Sequence, residues 1–348
     1  MSQREEMTPY ERLMIAFELK KPDRVPVTPF VREWCVRQAG YKFSEVMSNT
    51  EKYVYSQLYS IRKYGYDMVL DLLAVHAESE AMGSVLKIPE DAPPSVDIPA
   101  VNDYSKDLPK LRIPHPRKDG RLPLILKGTK RLKEAVGDTI PVMGYVQACW
   151  RHTCMMRGTE RALLDMKKNP DALKELLDIA TESCIVYGEA VVEAGADLIW
   201  VSDPTSSGDM ISKKAFEEFV YPFLRRQIKA FKRMGTKVFL HICGNVNDRL
   251  ESMANTGADA ISVDEKVDLA KAKTLIGNRV CIMGNISPGV TLLQKTPQDV
   301  EQECKVAIEK AMEGGGFVLA PGCIIPAATP GENIAAMVNS VKKYGVYQ

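Results

Sequence analysis

Three residues able to bind a soft metal stand at the ends of short apolar runs: His241 and Cys243 in KVFLHIC (237–243), and Cys323 in FVLAPGC (317–323). In an extended strand, residues two apart point to the same side, so positions 241 and 243 can converge on one point. An imidazole and two thiolates are donors that Zn²⁺ prefers, and three protein ligands with an open fourth position describe a catalytic zinc site. Glu265, ending AISVDE (260–265), could supply the fourth ligand while no substrate is bound. Zinc with two thiolates is neutral, so an incoming thiol or ether can displace a carboxylate without leaving a large unbalanced charge. The alternative for the cysteines is plain burial as small hydrophobes, and burial suffices for Cys35, Cys184, Cys281 and Cys304. Cys149 and Cys154 flank Trp150-Arg151-His152 but lack ligand spacing.

These positions need a scaffold that brings strand ends together. Eight apolar, β-rich runs recur along the chain: 25–30, 68–73, 141–146, 198–203, 237–242, 260–265, 280–286 and 317–322. Longer amphipathic stretches separate them, such as 212–234 and 298–313. Glycines at 195, 235, 257 and 277 precede four of the last five runs, as expected where a helix must end and turn into a strand. Strands alternating with helices imply parallel pairing, and eight units imply an α/β fold closed as a (β/α)8 TIM barrel. One such domain accounts for residues 1–348. It includes an N-terminal helix over about 8–20, which opens on a capping box from Thr8 to Glu11 with Pro9 at the first helical position. The Pro- and charge-rich segment 84–125 lacks helical periodicity and is expected to be an irregular excursion within the barrel.

Working residues of such barrels collect at the C-terminal strand ends. Polar groups expected there are Asp71, the run from Gln147 to His152, Asp203, His241 with Cys243, Glu265, Asn285 and Cys323.

Composition narrows the function class. The 348 residues carry 46 Lys+Arg against 45 Asp+Glu, a formal charge of +1, which argues against a dedicated nucleic-acid binder. No run reaches about 18 apolar residues, so no membrane span is expected, and the polar N-terminus has no signal-peptide core. Eight cysteines are too sparse for a disulfide scaffold, which points to a reducing, cytoplasmic location. Neither G-x-G-x-x-G after a strand nor G-x-x-x-x-G-K-[ST] occurs, so nucleotide cofactors lose support.

The stretches TPYERLMIAFELKKPDRVPV, EAMGS (80–84), SDPTSSGDMISKKAFEEFVYPFL (202–224), HICGN (241–245), GNISPGVTLL (284–293) and APGCIIPAATPGEN (320–333) resemble the uroporphyrinogen decarboxylase superfamily over nearly the whole chain. Within it the chain looks most like the zinc-dependent, corrinoid-linked methyltransferases. That resemblance implies zinc on His241, Cys243 and Cys323, with Glu265 completing it as in some members. The decarboxylase branch fits less well. Val36-Arg37-Gln38-Ala39-Gly40 resembles its arginine motif, but Tyr41 stands where a second arginine is expected. Asp71 falls near that branch's catalytic aspartate, while its C-terminal histidine is replaced by Gly322-Cys323.

Methyl transfer uses such a donor set, because zinc can deprotonate a thiol or stabilise a departing phenolate. The resemblance implies a corrinoid as the other methyl carrier. No D-x-H-x-x-G signature for cobalamin is present, so the corrinoid is expected on a separate partner protein. The thiol methyltransferases carry a G-P-F-T-like stretch after the third strand, where this chain has the more aromatic GYVQACWRHTCMMRG (144–158). Phe30, Trp34, Tyr145 and Trp150 could line a flat pocket for a methoxylated aromatic ring, or they could be core packing. With His152 protonating the departing phenolate, the favoured direction is O-demethylation; Arg37 is a further pocket residue, which in the decarboxylase alternative would hold carboxylates while Asp71 stabilises a protonated pyrrole. The alternatives are transfer from methylcobamide to a thiol, and decarboxylation of uroporphyrinogen. A homodimer is plausible, since symmetric dimers are the commonest assembly.

Overall fold

The computed structural model describes residues 6–71, 73, 75–90 and 92–348. Among the described residues nine strands follow one another: β1 (Val69–Asp71), β2 (Val85–Lys87), β3 (Ser95–Ile98), β4 (Val142–Gln147), β5 (Leu198–Ser202), β6 (Lys237–Ile242), β7 (Ala260–Val263), β8 (Cys281–Ile286) and β9 (Phe317–Pro321). Seven of them form one parallel sheet in the order β1-β4-β5-β6-β7-β8-β9, as a (β/α)8 barrel requires. Nearly every position in these strands is buried, because helices cover the outside and side chains fill the inside.

The first expected run, 25–30, does not become a regular strand. Its Pro26 and Pro29 have no N–H to give a ladder, and pairing is reduced to a parallel bridge between Val27 and Leu319 of β9. The segment still closes the ring. Thr28 N–H donates to Leu319 O (3.0 Å), Leu319 N–H to Pro26 O (2.9 Å), and on the other side Asp67 N–H donates to Val27 O (2.9 Å) just before β1.

That junction is fixed by a buried ion cluster. Asp67, fully buried, accepts from Arg12 Nη1 (2.8 Å), Arg24 Nη1 (2.8 Å) and the Val27 N–H (2.8 Å). Arg12 lies on the N-terminal helix Pro9–Phe17, which carries the expected Thr8–Glu11 capping box but ends at Phe17, and its Nε also pairs with Asp23 (2.7 Å). One carboxylate thus ties the first helix, the closing segment and the entry to β1.

Three further expectations need adjustment. The excursion is shorter and more ordered than 84–125. It holds the antiparallel hairpin β2–β3, a short helix Tyr104–Asp107 and a 3₁₀ turn, and residues 122–125 already belong to the helix Leu122–Val136. The satellite cluster Met82, Val101, Leu108, Met156 and Leu176 packs it down. The expected helix 212–234 is broken by a wide π-type turn at Phe216–Val220, just before Pro222 opens Tyr221–Arg233 without a donor to offer. The turn glycines Gly195, Gly235 and Gly257 take positive φ, but Gly277 has φ −67°, and there a Cβ would sit 2.5 Å from Lys273 O. Among the described residues no helix is long and apolar enough to cross a membrane.

Removing one partner from a buried ion cluster leaves the others unpaired. Asp67→Ala should lower the unfolding free energy by about 3–5 kcal/mol, read as a shift in urea midpoint at unchanged slope.

Candidate metal centre

Strand parity brings the trio together. His241 is the inward-facing residue near the end of β6, and Cys243 follows it by two. Gly244 then turns the chain with φ +82°, where a Cβ would come within 2.5 Å of Asp209 Oδ2. Cys323 sits in the bend just past β9. His241 Nε2 lies 2.9 Å from Cys243 Sγ, and Cys243 Sγ lies 3.2 Å from Cys323 Sγ. The three ligand atoms fall within 4.8 Å of one another, and they form the one such potential metal-binding group among the described residues.

The imidazole is aimed from behind. Ser262 on β7 is the register partner of His241, and its Oγ lies 3.0 Å from His241 Nδ1. When a metal takes Nε2, the ring proton moves to Nδ1, where Ser262 Oγ can accept it. The thiols themselves divide one proton unequally. The hydrogen bond from Cys243 holds Cys323 well below the ordinary thiol range, with His241 adding to it; the same contact, together with burial, pushes Cys243 up. One nitrogen and two sulfurs, one of them already favoured as thiolate, is a donor set that fits zinc.

Glu265 stands outside the trio. Its Oε1 accepts from Ser287 Oγ (3.3 Å), and its other oxygen lies against the Gly322 backbone, 2.6 Å from where a Cβ would project. The carboxylate is therefore beside the residue preceding Cys323, and burial and the nearby Asp264 carboxylate raise its pKa. Asn285 secures that same loop, its Nδ2 donating to Asp264 O (3.1 Å) and Val267 O (2.7 Å). Asp203 adjoins the centre, its N–H donating to His241 O (2.8 Å). Its Oδ1 accepts from Thr205 N and Oγ1, its Oδ2 is buried without a partner, and burial raises its pKa.

The remaining expected residues lie elsewhere. Asp71 ends β1 but turns toward the outer helices, accepting from Thr129 Oγ1 (2.7 Å) on Leu122–Val136, and burial raises its pKa to about 7. His152 is fully buried with Nδ1 3.0 Å from Ser79 Oγ and Nε2 3.2 Å from Met82 Sδ; burial lowers its pKa to about 3, so it carries no extra proton at neutral pH. Arg37 is exposed on the helix Glu33–Gln38. Trp34 and Trp150 are core residues whose indole N–H groups donate to Thr329 O (2.8 Å) and Thr205 O (3.1 Å).

Phe30 and Tyr145 do reach the barrel interior, where they meet two rings that sequence reasoning passed over. Trp200 of β5 lies 4.6 Å from Phe30, 5.4 Å from Phe239 of β6, 5.8 Å from Tyr145 and 5.7 Å from the His241 ring. This aromatic layer packs against His241 inside the barrel. Phe239 was legible from its period-two spacing to His241. Glu78 was also missed: fully buried, it accepts from the Gln147 N–H (2.9 Å) and Nε2 (3.0 Å).

Two measurements follow. Ser262→Ala should weaken zinc binding about 10–100-fold in a chelator competition, whereas Cys184→Ser, altering a thiol buried in the helix Pro170–Glu193, should leave it unchanged. Asp71 gives a pH signature. Its folded-state pKa is raised from 3.8 to about 7, so in that window the folded chain holds a proton that the unfolded chain releases. Stability must then fall as pH rises from about 4 to 7, with the whole loss present above that range. Asp71→Asn should flatten that part of the stability profile measured by denaturant melts.

A sequence profile described as uroporphyrinogen decarboxylase (URO-D) matches residues 8–344. The chain is 33% identical to the methylcobamide:CoM methyltransferase MtaA of Methanosarcina barkeri, over 97% of this chain and 99% of that one. It is 27% identical to the uroporphyrinogen decarboxylase of Psychromonas ingrahamii, over 95% and 96% of the two chains. The solved structure of a methyltransferase from Methanosarcina mazei superposes with a TM-score of 0.89 at 32% identity, covering 97% of this chain and 99% of its own. With a profile match from the cap of the first helix to the end of the last, the chain belongs to the uroporphyrinogen decarboxylase family.

Proposed function

We propose that the protein transfers a methyl group from the cobalt of a corrinoid, carried on a separate protein, to the sulfur of a small thiol. The observation that carries this reading is the convergence of His241, Cys243 and Cys323 at one end of the barrel. The relatives named methylcobamide:CoM methyltransferases support it at full length. In the net reaction the Co–C bond breaks and an S–C bond forms. The bonding pair stays on cobalt, and the thiol proton passes to solvent.

The chain's own residues prepare a site for that displacement. His241, Cys243 and Cys323 would hold zinc, which when bound supplies the Lewis acidity that keeps an incoming thiol deprotonated at neutral pH. Ser262 keeps the imidazole edge turned toward the sulfurs. The Asp203 N–H holds the His241 carbonyl, so strand and ring are fixed together. Phe30, Trp200 and Phe239 are fully or almost fully buried around the ring and exclude water from its inner side.

The other readings lose their supports. Aromatic O-demethylation rested on four aromatic residues sharing a pocket, and Trp34 and Trp150 are instead anchored in the core. Decarboxylation of a polycarboxylate needs free cations and a carboxyl aimed inward. Here Arg37 is exposed, Arg32 and Arg121 are paired with Glu33 and Glu80 (2.5 and 2.6 Å), and Asp71 faces the outer helices.

Zinc-loaded protein mixed with methylcobalamin and 2-mercaptoethanesulfonate should consume the methyl-cobalt absorption and release the methyl thioether, seen by mass spectrometry. Cys323→Ser should slow this by at least about 100-fold, the scale expected for a lost catalytic metal ligand. Carbon dioxide release from uroporphyrinogen that is indifferent to chelators, with no thioether from any thiol, would overturn the proposal.

A further inference from the structure

The two cysteines of the metal-binding trio differ from the other cysteines of the chain. Cys243 and Cys323 are half-buried, whereas Cys35, Cys149, Cys154, Cys184, Cys281 and Cys304 are buried in the core. The two sulfurs lie 3.2 Å apart and share a hydrogen bond. A disulfide spans about 2.0 Å, so a closure of roughly 1 Å would join them. Both positions can yield that much while the sheet stays intact. Cys243 follows the last residue of β6 and Cys323 lies two residues past the end of β9, so neither belongs to a strand.

Oxidation and metal binding compete for the same electrons. The sulfur lone pair that would be given to zinc is the one an oxidant takes. Hydrogen peroxide is small enough to reach a half-buried sulfur. One sulfur, giving up its proton, attacks the peroxide. The O–O bond breaks, a sulfenic acid forms, and the departing hydroxide leaves with that proton as water. The neighbouring sulfur then attacks the sulfenic sulfur; the S–O bond breaks, the S–S bond forms, and a second water leaves. The two sulfurs supply two electrons, and peroxide is reduced to two waters. A resolving thiol already in contact favours this outcome over further oxidation of a single sulfur. The product keeps His241 alone of the three donors, which is not a zinc site.

Resting on the reading of the trio as a zinc site, we propose that Cys243 and Cys323 form a reversible redox switch on metal loading. In metal-free protein, peroxide closes a Cys243–Cys323 disulfide that blocks zinc until a thiol reductant reopens it. Bound zinc protects the pair, because both sulfurs are then committed to the metal. The switch acts on whether the protein can be loaded, not on the turnover of loaded protein.

The test treats chelator-stripped and zinc-loaded protein with hydrogen peroxide and maps the peptides without reduction. Stripped protein should lose two titratable thiols and yield one crosslinked peptide pair, containing Cys243 and Cys323 and lighter by two hydrogens. Zinc-loaded protein should form it at least about 10-fold more slowly, since the metal holds the thiolate pairs. The crosslinked protein should bind zinc at least about 100-fold more weakly in a chelator competition, and dithiothreitol should restore binding. Cys184→Ser should behave as wild type. Cys323→Ser should give no crosslink and collect sulfinic acid on Cys243; if that variant fails to fold, Cys243→Ser is read instead, with the sulfinic acid on Cys323. Sulfinic acid in place of the crosslink in wild type, oxidation that spreads to the buried cysteines, equal rates with and without zinc, or zinc binding undiminished by the crosslink would overturn the switch. Thioether formation from methylcobalamin is read on separate, zinc-loaded protein. Its presence without the crosslink removes the switch alone, and the crosslink in protein that makes no thioether from any thiol removes the methyl-transfer reading alone.

Discussion

The Asp67 carboxylate is the point on which the architecture closes. A ring of parallel strands places distant residues side by side only if its first and last members meet. Here the first member, residues 25–30, is too proline-rich to pair along its length. The junction relies instead on two guanidiniums and the Val27 amide converging on one buried carboxylate, beside three backbone bonds to β9 and to the entry of β1. Two positive charges against one negative would be costly in a dry interior; Asp23, bonded to Arg12 through both its oxygens, restores the balance. β9 is the strand gripped by this junction, and Cys323 follows it directly. The distance between Cys243 and Cys323, residues 80 apart in the chain, therefore depends on how the far end of the barrel is tied.

At the opposite end the same economy of charge applies to the metal-binding trio. Two thiols and an imidazole are buried or half-buried, in a region where a lone thiolate would be penalised by desolvation. The three donors relieve one another by sharing protons, with Cys323 taking the lower affinity for hydrogen and Cys243 the higher. A dication would displace the shared proton and neutralise both sulfurs, so that metal binding and the local electrostatics favour each other. Ser262 contributes no charge, yet it decides which imidazole nitrogen faces the sulfurs, because it meets the other one across the β6–β7 ladder.

What the amino-acid order disclosed, and what it concealed, follows from this geometry. The trio was legible because alternation along a strand makes residues 241 and 243 neighbours on one face, and because a barrel rim gathers strand ends. The capping box at Thr8 and Glu11 was legible because it is local. Side-chain direction was not. Asp71 and His241 both lie at or next to strand ends, but one faces the helices and the other the interior, and nothing within MVLDLL distinguishes the two faces when both are apolar. Trp150 and His152 fall just past a strand in sequence, but a helix starts at Cys149 and turns both into the core. Trp200 was concealed in an unbroken apolar run, although its ring contacts Phe30, Tyr145, Phe239 and His241.

Family membership alone does not choose the chemistry, since decarboxylases and methyltransferases share this barrel and both match the chain over nearly all its length. The choice comes from where charge is placed. A catalyst for a substrate with many carboxylates must offer many unpaired cations around one cavity. This chain pairs Arg32 and Arg121 with glutamates and gathers two sulfurs and an imidazole at its strand ends.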